Sequence, residues 1–248
     1  DIDIHSTSII ANLDNRMMVS TLPWIFADYQ EAEDAFFGEG GEFLSSVLAE
    51  KGITYLGAVH NGFKAMTNSK HPIQDPDDLK GLKIRVPGGD FFSAFYTAFG
   101  ASPQAMSWSE VFTALQQGTI DAQENPLSVI TSSRFNEVQD YLSMTEHVYS
   151  AAPLMVSKAA YDALPDDLKA IVDEAGVEAC QWEREYLAEV EVQWLDELET
   201  AGTQINYPDK APFVDAMSSV YNQFVGDGDD MVSPELLEQV REIISQVE

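Results

Sequence analysis

Cysteine, basic residues and long apolar runs are all scarce in this sequence. Its one cysteine, Cys180, excludes an intramolecular disulfide and any metal site built from several cysteines. A membrane-spanning helix needs about 20 consecutive apolar residues, and no run in the sequence comes near that length. The opening, DIDIHSTSII, has neither the basic end nor the continuous apolar segment of a signal peptide, and it predicts a strand instead.

Positive charge is far rarer than negative charge. The chain has 13 basic and 42 acidic residues, which gives a formal net charge of −29. Nucleic acids and anionic membrane surfaces bind basic patches, so we expect neither as a partner. Residues 161–200 hold thirteen acids and two bases, and a solvated helical face explains them best. So acidic a surface also disfavours self-association, and we expect a monomer.

Calcium binding is the alternative explanation for the acidic residues. The best candidate loop, DGDDMVSPELLE at 227–238, lacks the glycine that an EF-hand requires at its turning position. Ser233 and Pro234 instead predict the N-cap and the first position of a final helix. The sequence therefore predicts no bound metal.

Motifs of the common catalytic classes are absent as well. The sequence has no G-x-S-x-G, P-loop, G-x-G-x-x-G or H-E-x-x-H pattern. The four histidines, His5, His60, His71 and His147, show no ligand spacing, so we interpret them as structural. A pair of carboxylates can always be found among 42 acids, and such a pair has no specificity here. We predict no catalytic residue and no cofactor, with an enzyme kept as an alternative.

The pattern of elements indicates an α/β protein. The chain is long enough for two domains, and predicted helices alternate with predicted strands. In chain order we predict a helix at 30–50, strands at 54–59 and 63–68, a turn region at 71–81, a strand at 82–87, a helix at 90–99, a helix that Ser107 or Ser109 caps and Gly118 ends, and a strand at 119–126 that leads into a loop.

Residues 165–200 show the longest helical periodicity. Apolar residues recur there at steps of three and four. One helix of that length would run about 50 Å, so we expect it to pack across two domains. Two helices that break near Gly176 are the alternative, although a glycine inside a helix costs only about 1 kcal/mol.

The stretch GLKIRVPGGD, residues 81–90, places an arginine just before a proline and two glycines. Because side chains alternate along a strand, Arg85 lies on the face opposite Ile84 and Val86. A basic residue on that opposite face commonly points into water. The sharper interpretation is that Arg85 lies where a strand ends, which is where open α/β sheets bind ligands. Asn125 also lies at the end of a predicted strand, which suggests that the two residues share a crevice.

These residue types suit a small organic anion. A guanidinium grips a carboxylate through two charge-assisted hydrogen bonds and never deprotonates. Asn125 offers one acceptor and two donors, Trp108 offers a flat apolar wall, and Lys64 would add a second cation. Each of these residues is also common in a purely structural role, and a tryptophan most often packs in a core.

Four segments of the sequence carry a resemblance to a known family. They are DLKGLKIRVP at 78–87, FGASPQAMSWSEVFTALQQGTIDAQENP at 99–126, RFNEVQDYLSMTEH at 134–147 and LPDDLKAIVDEA at 164–175. The chain resembles the solute-binding subunits of TRAP transporters, the DctP family, from DIDI through the last helix. The ordered G-L-K-I-R-V-P strand, S-E-V-x-x-A-L-Q helix and D-x-Q-E-N-P loop make the resemblance specific.

The resemblance implies a two-lobed, periplasmic-binding-protein-like α/β fold, with a hinge and a long helix that spans both lobes. On this basis residues 1–62 and 151–190 form lobe I, and residues 63–150 and 191–248 form lobe II. Family members begin with a strand, a helix and a further strand before the segment that matches DIDI. We therefore expect part of lobe I, and some ligand contacts, to be missing from this chain.

The resemblance also implies roles for individual residues. The signature arginine that pairs with a substrate carboxylate matches Arg85, and the pocket asparagine of the E-N-P motif matches Asn125. The aromatic residue before S-E-V matches Trp108. A second arginine of the family, in a G-x-R motif, is replaced by Lys64, which is only a point charge. Ser8, in the loop after the first strand, falls where some members contact the ligand.

The implied function is capture of a small organic acid in the periplasm and its delivery to the permease subunits of a TRAP transporter, without a chemical reaction. Closure of the two lobes around the ligand is expected to accompany capture. An enzyme and a sensory ligand-binding module on the same scaffold are the alternatives. Turnover of a ligand would indicate an enzyme, and the presence of neighbouring permease genes would separate a transporter subunit from a sensor. C4-dicarboxylates, sugar acids and 2-oxo acids all suit an arginine with an asparagine.

Overall fold

The computed structural model describes residues 1–37, 39–227 and 231–245. The strands are β1 (Ile2–Ile4), β2 (Ile53–Asn68), β3 (Lys83–Val86), β4 (Ser102–Ala105), β5 (Ala122–Pro126), β6 (Tyr141–Ser143), β7 (Tyr149–Ser157) and β8 (Gln204–Asn206). The α-helices are α1 (Thr7–Ile10), α2 (Tyr29–Phe37), α3 (Glu39–Glu50), α4 (Asp90–Ala98), α5 (Trp108–Gln116), α6 (Leu127–Ser132), α7 (Lys158–Asp162), α8 (Asp166–Thr200), α9 (Ala211–Ala216), α10 (Ser218–Phe224) and α11 (Pro234–Ser245). None of the helices in these described ranges is long and apolar enough to cross a membrane.

The chain divides into two compact units. The first consists of Asp1–Asn61, Tyr149–Val190 and Val225–Glu248, and the second of Gly62–Val148 and Glu191–Phe224. Strand β2 and helix α8 therefore each contribute to both units. The division expected from the sequence placed residues 191–248 together in lobe II, whereas the segment from Val225 belongs to the first unit.

In the first unit, the opening residues form an edge strand. β1 pairs antiparallel with β7, with Ile2 opposite Val156, and β7 lies between β1 and β2. The strand predicted for DIDI is confirmed. The helix predicted for residues 30–50 is described as α2 and α3, on either side of residue 38, which lies outside the described residues. Leu44 and Leu48 on α3 are fully buried, as one face of an amphipathic helix should be.

The last helix of the first unit begins as predicted. The backbone N–H of Leu236 donates to the Ser233 side-chain oxygen at 3.1 Å, and Pro234 is the first helical residue. Of the candidate calcium loop at 227–238, residues 228–230 lie outside the described residues.

The second unit contains a mixed sheet. β3 runs parallel to both β4 and β5, and β2 runs antiparallel to both β5 and β6, while β8 extends the sheet parallel to β6. The apolar face of α5 packs under this sheet through Val111 and Leu115, against Ile130, Phe135 and Leu142. The parallel pair brings the carboxyl ends of β3 and β5 to one edge of the sheet.

Two local predictions are wrong because distant pairing overrides local signals. The strands expected at 54–59 and 63–68 are the single strand β2, because segments far along the chain pair with both of its halves. Gly62 continues this strand with a φ of 116°, a value that glycine adopts readily. The loop expected after the strand at 119–126 is also absent, because β5 ends at Pro126 and α6 begins at Leu127.

Other local predictions are confirmed. The turn region contains a short 3-10 helix, Pro76–Leu79, capped by Asp75, and the helix predicted at 90–99 is α4. Ser107 occupies the N-cap of α5, although its hydroxyl donates to Glu110 rather than accepting from the backbone. Residues 166–200 form one helix, α8, so the predicted single long helix is confirmed and no break occurs at Gly176.

Candidate functional site

Arg85 occupies the third position of the four-residue strand β3, and its side chain is only 8 % exposed. Its Nε and Nη2 atoms donate to the backbone carbonyl of Met106, at 3.3 and 3.1 Å. No carboxylate in the described part of the chain forms an ion pair with it. The arginine is therefore a buried cation whose Nη1 group is left for another acceptor, and it does not project into water like an ordinary surface base.

The Trp108 ring lies beside the guanidinium of Arg85. The Cζ atom of Arg85 lies 5.5 Å from the centroid of the Trp108 ring, which is within the range of a cation–π contact. The ring packs edge-to-face on Phe135 with centroids 5.6 Å apart, and the tryptophan is still 46 % exposed. Trp108 thus belongs partly to the core and partly to an accessible surface beside Arg85.

Burial makes the charge of Arg85 costly. It lowers the pKa of Arg85 below the ordinary arginine value, and the negative charge of Glu124 opposes that shift only in part. A buried charge without a counter-ion raises the free energy of the folded protein, because a carbonyl dipole replaces hydration incompletely. An anion that reaches Arg85 removes this cost, which favours its binding.

Strand register places Asn125 on the same face of the sheet as Arg85. Ile84 pairs with Ala122, and side chains alternate along each strand, so Arg85 shares a face with residues 123 and 125. The Nδ2 group of Asn125 donates to Oε1 of Gln123 at 2.6 Å, and the side chain is half-buried. The structure thus brings three of the predicted residues, Arg85, Asn125 and Trp108, to one end of the β3–β5 pair.

Lys64 lies on the opposite face. Its neighbour Ala65 pairs with Asn125, while Met66 pairs with Glu124, so Lys64 shares a face with Glu124. The Nζ atom of Lys64 lies 2.9 Å from Oε1 of Glu124, and both side chains are buried. Nζ also lies 4.3 Å from the centroid of the Phe92 ring. The positive charge of Lys64 is therefore already neutralised within the protein.

Glu124 is the centre of a buried polar cluster. Nε2 of His147 lies 3.5 Å from Oε2 of Glu124 and 3.2 Å from the Tyr96 hydroxyl, and Nδ1 of His147 lies 2.8 Å from the Thr145 hydroxyl. Burial alone would raise the pKa of Glu124, but the charge of Lys64 and the contact with His147 outweigh it and lower that pKa. Burial lowers the pKa of His147, although Glu124 opposes the shift.

This buried cluster is not predicted by the sequence patterns. Glu124 and Gln123 lie inside the D-x-Q-E-N-P motif, and that motif is the signal in the sequence that points to them. His147, interpreted as structural, lies at the end of RFNEVQDYLSMTEH and is fully buried against Glu124. No local pattern distinguishes Glu124 from the other acidic residues among the 42, so its burial is visible only in the folded chain.

Ser8 belongs to the first unit and lies within helix α1, not in a loop, because Ser6 caps that helix. The hydroxyls of Ser6 and Ser8 lie 2.8 Å apart, and the Ser6 hydroxyl also lies 2.8 Å from that of Ser150. The side-chain amide of Asn61 donates to Ser150 at 3.1 Å. This group of neutral hydroxyls suits hydrogen bonding to a polar ligand, and a ligand contact by Ser8 stays a prediction.

The chemistry of the second-unit site suits a small anion. It combines a buried guanidinium, a half-buried amide and an accessible aromatic ring at the carboxyl ends of parallel strands, where open α/β sheets bind ligands. Two α/β units that share a long strand and a long helix, with such a site in one of them, define the class as an α/β binding protein for small molecules.

Comparison with known proteins specifies the family. The family model of bacterial extracellular solute-binding protein, family 7 (DctP), matches residues 1–227. A solute-binding protein of Verminephrobacter eiseniae is 38 % identical over 97 % of this chain and 71 % of its own. The 2,3-diketo-L-gulonate-binding periplasmic protein of Escherichia coli is 35 % identical over 92 % of this chain and 70 % of its own. A TRAP periplasmic solute-binding protein of Polaromonas, bound to D-erythronate, is 34 % identical with a TM-score of 0.90, covering 97 % of this chain and 78 % of that one.

This chain therefore belongs to the DctP family of TRAP solute-binding proteins. The predicted family, the predicted function as a solute-binding protein of TRAP type, and the predicted two-lobed α/β fold with its long helix are confirmed. The family is one of bacterial extracellular solute-binding proteins.

Proposed function

We propose that this chain is the extracytoplasmic solute-binding subunit of a TRAP transporter, which captures a small organic acid in the periplasm and delivers it to the membrane permease. The observation that carries the proposal is Arg85, a buried cation without a carboxylate partner among the described residues. Membership of the family supports the transport role. A relative named for 2,3-diketo-L-gulonate and another whose structure contains D-erythronate support an acid as the solute.

Arg85 is the proposed anchor for the carboxylate. Its Nε and Nη2 atoms are held by the carbonyl of Met106, so the guanidinium plane is fixed before the ligand arrives. The Nη1 and Nη2 atoms can then each donate one N–H group to a carboxylate. Asn125 and the Trp108 ring add a polar contact and an apolar wall beside it. Because the site is preorganised, little side-chain entropy is lost on binding.

Binding is proposed to leave the solute unchanged. The groups around Arg85 are a backbone carbonyl, an amide and an indole, none of which is a nucleophile or a general base at neutral pH. Recovery of the acid intact and in stoichiometric amount after incubation with purified protein is expected, and accumulation of a product would contradict the proposal.

A thermal-shift screen with a library of organic acids identifies the ligand. At one hundred times its dissociation constant, a ligand adds about 2.7 kcal/mol to the free energy of unfolding, which gives a clear rise in melting temperature. Calorimetry with the identified acid then measures variants of Arg85. We expect Arg85→Ala to weaken binding by about 2–5 kcal/mol, because the anion is left unpaired in the site.

Two further variants make this measurement specific. Arg85→Lys keeps the charge but loses the planar fork, and we expect an affinity between those of the wild-type protein and Arg85→Ala. Lys80→Ala removes one positive charge from the same unit at an exposed position and should leave the affinity unchanged. An Arg85→Ala protein that binds as tightly as Lys80→Ala would overturn the assignment of Arg85.

Delivery to the permease is tested in cells. Uptake of the identified acid through its cognate permease subunits should require this protein and should fall with Arg85→Ala. Uptake at an undiminished rate in cells that lack the protein would contradict a role in transport.

A further inference from the structure

A chain of buried hydrogen bonds in the second unit links Gln139 to the candidate site. Oε1 of Gln139 accepts from the Thr67 hydroxyl at 3.2 Å, and the Thr67 oxygen accepts from Nε2 of Gln123 at 2.9 Å. Oε1 of Gln123 accepts from Nδ2 of Asn125 at 2.6 Å. Gln139, Thr67 and Gln123 are almost completely buried, whereas Asn125 is half-buried. The chain therefore begins in the interior and ends at a residue that solvent reaches.

The backbone sets the direction of this chain at its buried end. Nε2 of Gln139 donates to the carbonyl oxygens of Val138 and Asp121, at 3.0 and 3.4 Å. A backbone carbonyl can only accept, so the NH₂ group of Gln139 must face these two oxygens and its Oε1 atom must face Thr67. The reversed amide would bring three oxygen atoms together without a hydrogen between them.

That direction passes to Asn125 one residue at a time. The Thr67 hydroxyl has a single hydrogen, which it donates to Gln139, so the Thr67 oxygen is left to accept from Gln123. Gln123 then has its NH₂ group toward Thr67 and its oxygen toward Asn125. The Asn125 amide consequently keeps its NH₂ group toward Gln123, and its Oδ1 atom lies on the other side.

The chain lies in a layer of the second unit that is otherwise apolar. Strand pairing sets Thr67 opposite both Gln123 and Leu142, and sets Ala65 opposite Asn125. Ala65 and Leu142 belong to the apolar core beneath α5. Replacing both partners of a buried hydrogen bond by apolar groups of the same shape costs little stability. Polar side chains are thus not needed to fill this layer, and what they add is a fixed direction.

From these observations we infer that Gln139 is a positioning residue of the candidate site: through Thr67 and Gln123 it sets which end of the Asn125 amide a solute meets. Gln139 acts at a distance, because two side chains stand between it and Asn125. This role is the same for any acid. Its consequence for affinity rests on the proposed function, whereas the orientation of the amide can be measured without any solute.

Gln139→Leu tests this role, because it removes the side chain that sets the direction and keeps a similar volume. The Thr67 hydrogen then has no acceptor at position 139, and a reversed Gln123 amide satisfies it instead. Asn125 should reverse in turn and direct its NH₂ group away from Gln123. The hydrogen bonds among Thr67, Gln123 and Asn125 stay complete in the reversed chain, so we expect a folded protein with the circular dichroism spectrum of the wild type. Thr67→Ser is the matched control, because it retains the hydroxyl and should retain the original direction.

Amide exchange in the solute-free protein reports the orientation. Nuclear magnetic resonance of ¹⁵N-labelled protein resolves the Asn125 side-chain NH₂ group, which is identified by its loss in Asn125→Ser. In the wild-type protein one of its hydrogens is held by Gln123 and should exchange slowly with water. In Gln139→Leu the group should exchange severalfold faster, and in Thr67→Ser it should exchange at the wild-type rate.

Calorimetry measures the consequence for binding. D-erythronate, D-glucuronate and succinate serve as probes, and each one that the wild-type protein binds is compared across the variants. We expect Gln139→Leu to bind it at least about tenfold more weakly, because a solute matched to Oδ1 of Asn125 then meets an NH₂ group and leaves it unpaired. Thr67→Ser should bind it like the wild-type protein, which a general effect of altered packing in this layer would not produce.

The outcomes separate this role from the proposed function. Equal exchange rates in the wild-type protein and Gln139→Leu would overturn the positioning role, whatever the protein binds. Faster exchange with unchanged affinity would overturn its relevance to the site. If Thr67→Ser behaves like Gln139→Leu, packing and not direction is responsible, and the role is again overturned. If no organic acid binds the wild-type protein, the proposed function fails, while the exchange rates still decide the orientation of Asn125.

Discussion

At the scale of single residues, the pairing of charges distinguishes the buried lysine of the second unit from its buried arginine. Among the described residues of that unit, one lysine and one arginine are buried, and only the lysine has an ion-pair partner. Lys64 has a carboxylate 2.9 Å away, whereas in the described part of the chain the guanidinium of Arg85 donates hydrogen bonds to a backbone carbonyl and to no carboxylate. A buried ion pair contributes little net stability, because loss of hydration offsets the attraction. Its consequence here is that Arg85, and not Lys64, is the cation proposed to bind the carboxylate.

The pair of Lys64 and Glu124 makes a direct prediction about stability. Glu124→Leu leaves the buried ammonium without its partner and should cost about 3–5 kcal/mol in the free energy of unfolding. The double variant Lys64→Met with Glu124→Leu removes both charges and should recover most of that loss. Denaturant unfolding measures both. A double variant no more stable than Glu124→Leu alone would show that the ion pair is not the reason for the loss.

At the scale of elements, close packing of α8 on β2 within the first unit explains a glycine inside a long helix. A Cβ atom at Gly176 would lie 3.0 Å from Cβ of Leu56 and 3.2 Å from its carbonyl oxygen. On the strand, a Cβ atom at Gly57 would lie 2.8 Å from Sγ of Cys180, one turn further along the helix. Both glycines allow the helix to approach the strand, and Cys180 fills the space beside them as a small buried side chain.

Gly176→Ala tests this packing, because two effects of opposite sign compete. Helix propensity alone would stabilise the protein by about 1 kcal/mol. The contact with the β2 backbone should outweigh that gain, since the strand cannot rotate away as a flexible side chain would, and the melting temperature should fall. Ala179→Gly, at an exposed position of the same helix, gives the size of the propensity effect alone. A Gly176→Ala protein more stable than wild type would contradict the close approach.

At the scale of the whole molecule, the acidic charge and the buried histidines govern the response to pH. The net charge of −29 changes little between pH 7.5 and 5.5, because carboxylates of ordinary pKa stay ionised in that range. Two buried histidines do respond. Burial lowers the pKa of His147 despite Glu124, and burial lowers the pKa of His60 despite Glu33.

The sign of the pH effect follows from linkage. A histidine with a lowered pKa binds its proton less readily in the folded protein than in the unfolded chain, so stability falls as pH drops below the ordinary value of about 6.5. Each such histidine should lower the free energy of unfolding by about 1 kcal/mol when the pH reaches 5.5. Melting temperatures from pH 7.5 to 5.5 should therefore fall in the wild-type protein, and fall less steeply in His147→Gln. His5→Gln, at an exposed position, is the control, and identical slopes for the two variants would refute the role of His147.

Much of the element order could be predicted, because its signals lie within a few residues. β3 lies between turn residues, α5 has its apolar face at helical spacing, and the periodicity of α8 continues over nine turns or so. The continuity of β2 could not be predicted in this way. Its two halves are joined into one strand by pairing with segments from elsewhere in the chain, and no window of adjacent residues contains that information.

The candidate site could also be predicted only in part. Arg85 and Asn125 could be placed at strand ends from local pattern and family resemblance, and the structure puts both there. The pairing of Lys64 with Glu124 depends on the antiparallel register of β2 with β5, which sets Met66 opposite Glu124. A shift of that register by one residue would move each side chain to the other face of the sheet. Nothing in the sequence marks that register.

By itself, the sequence determined the acidic character of the protein, its α/β class, its family and the position of the arginine proposed to bind the solute, since composition, periodicity and ordered motifs are properties of the chain in one dimension. Only the tertiary structure decided which charges are neutralised and which way the Asn125 amide faces. Both depend on partners that are remote in sequence and are brought within hydrogen-bonding distance by the pairing of strands.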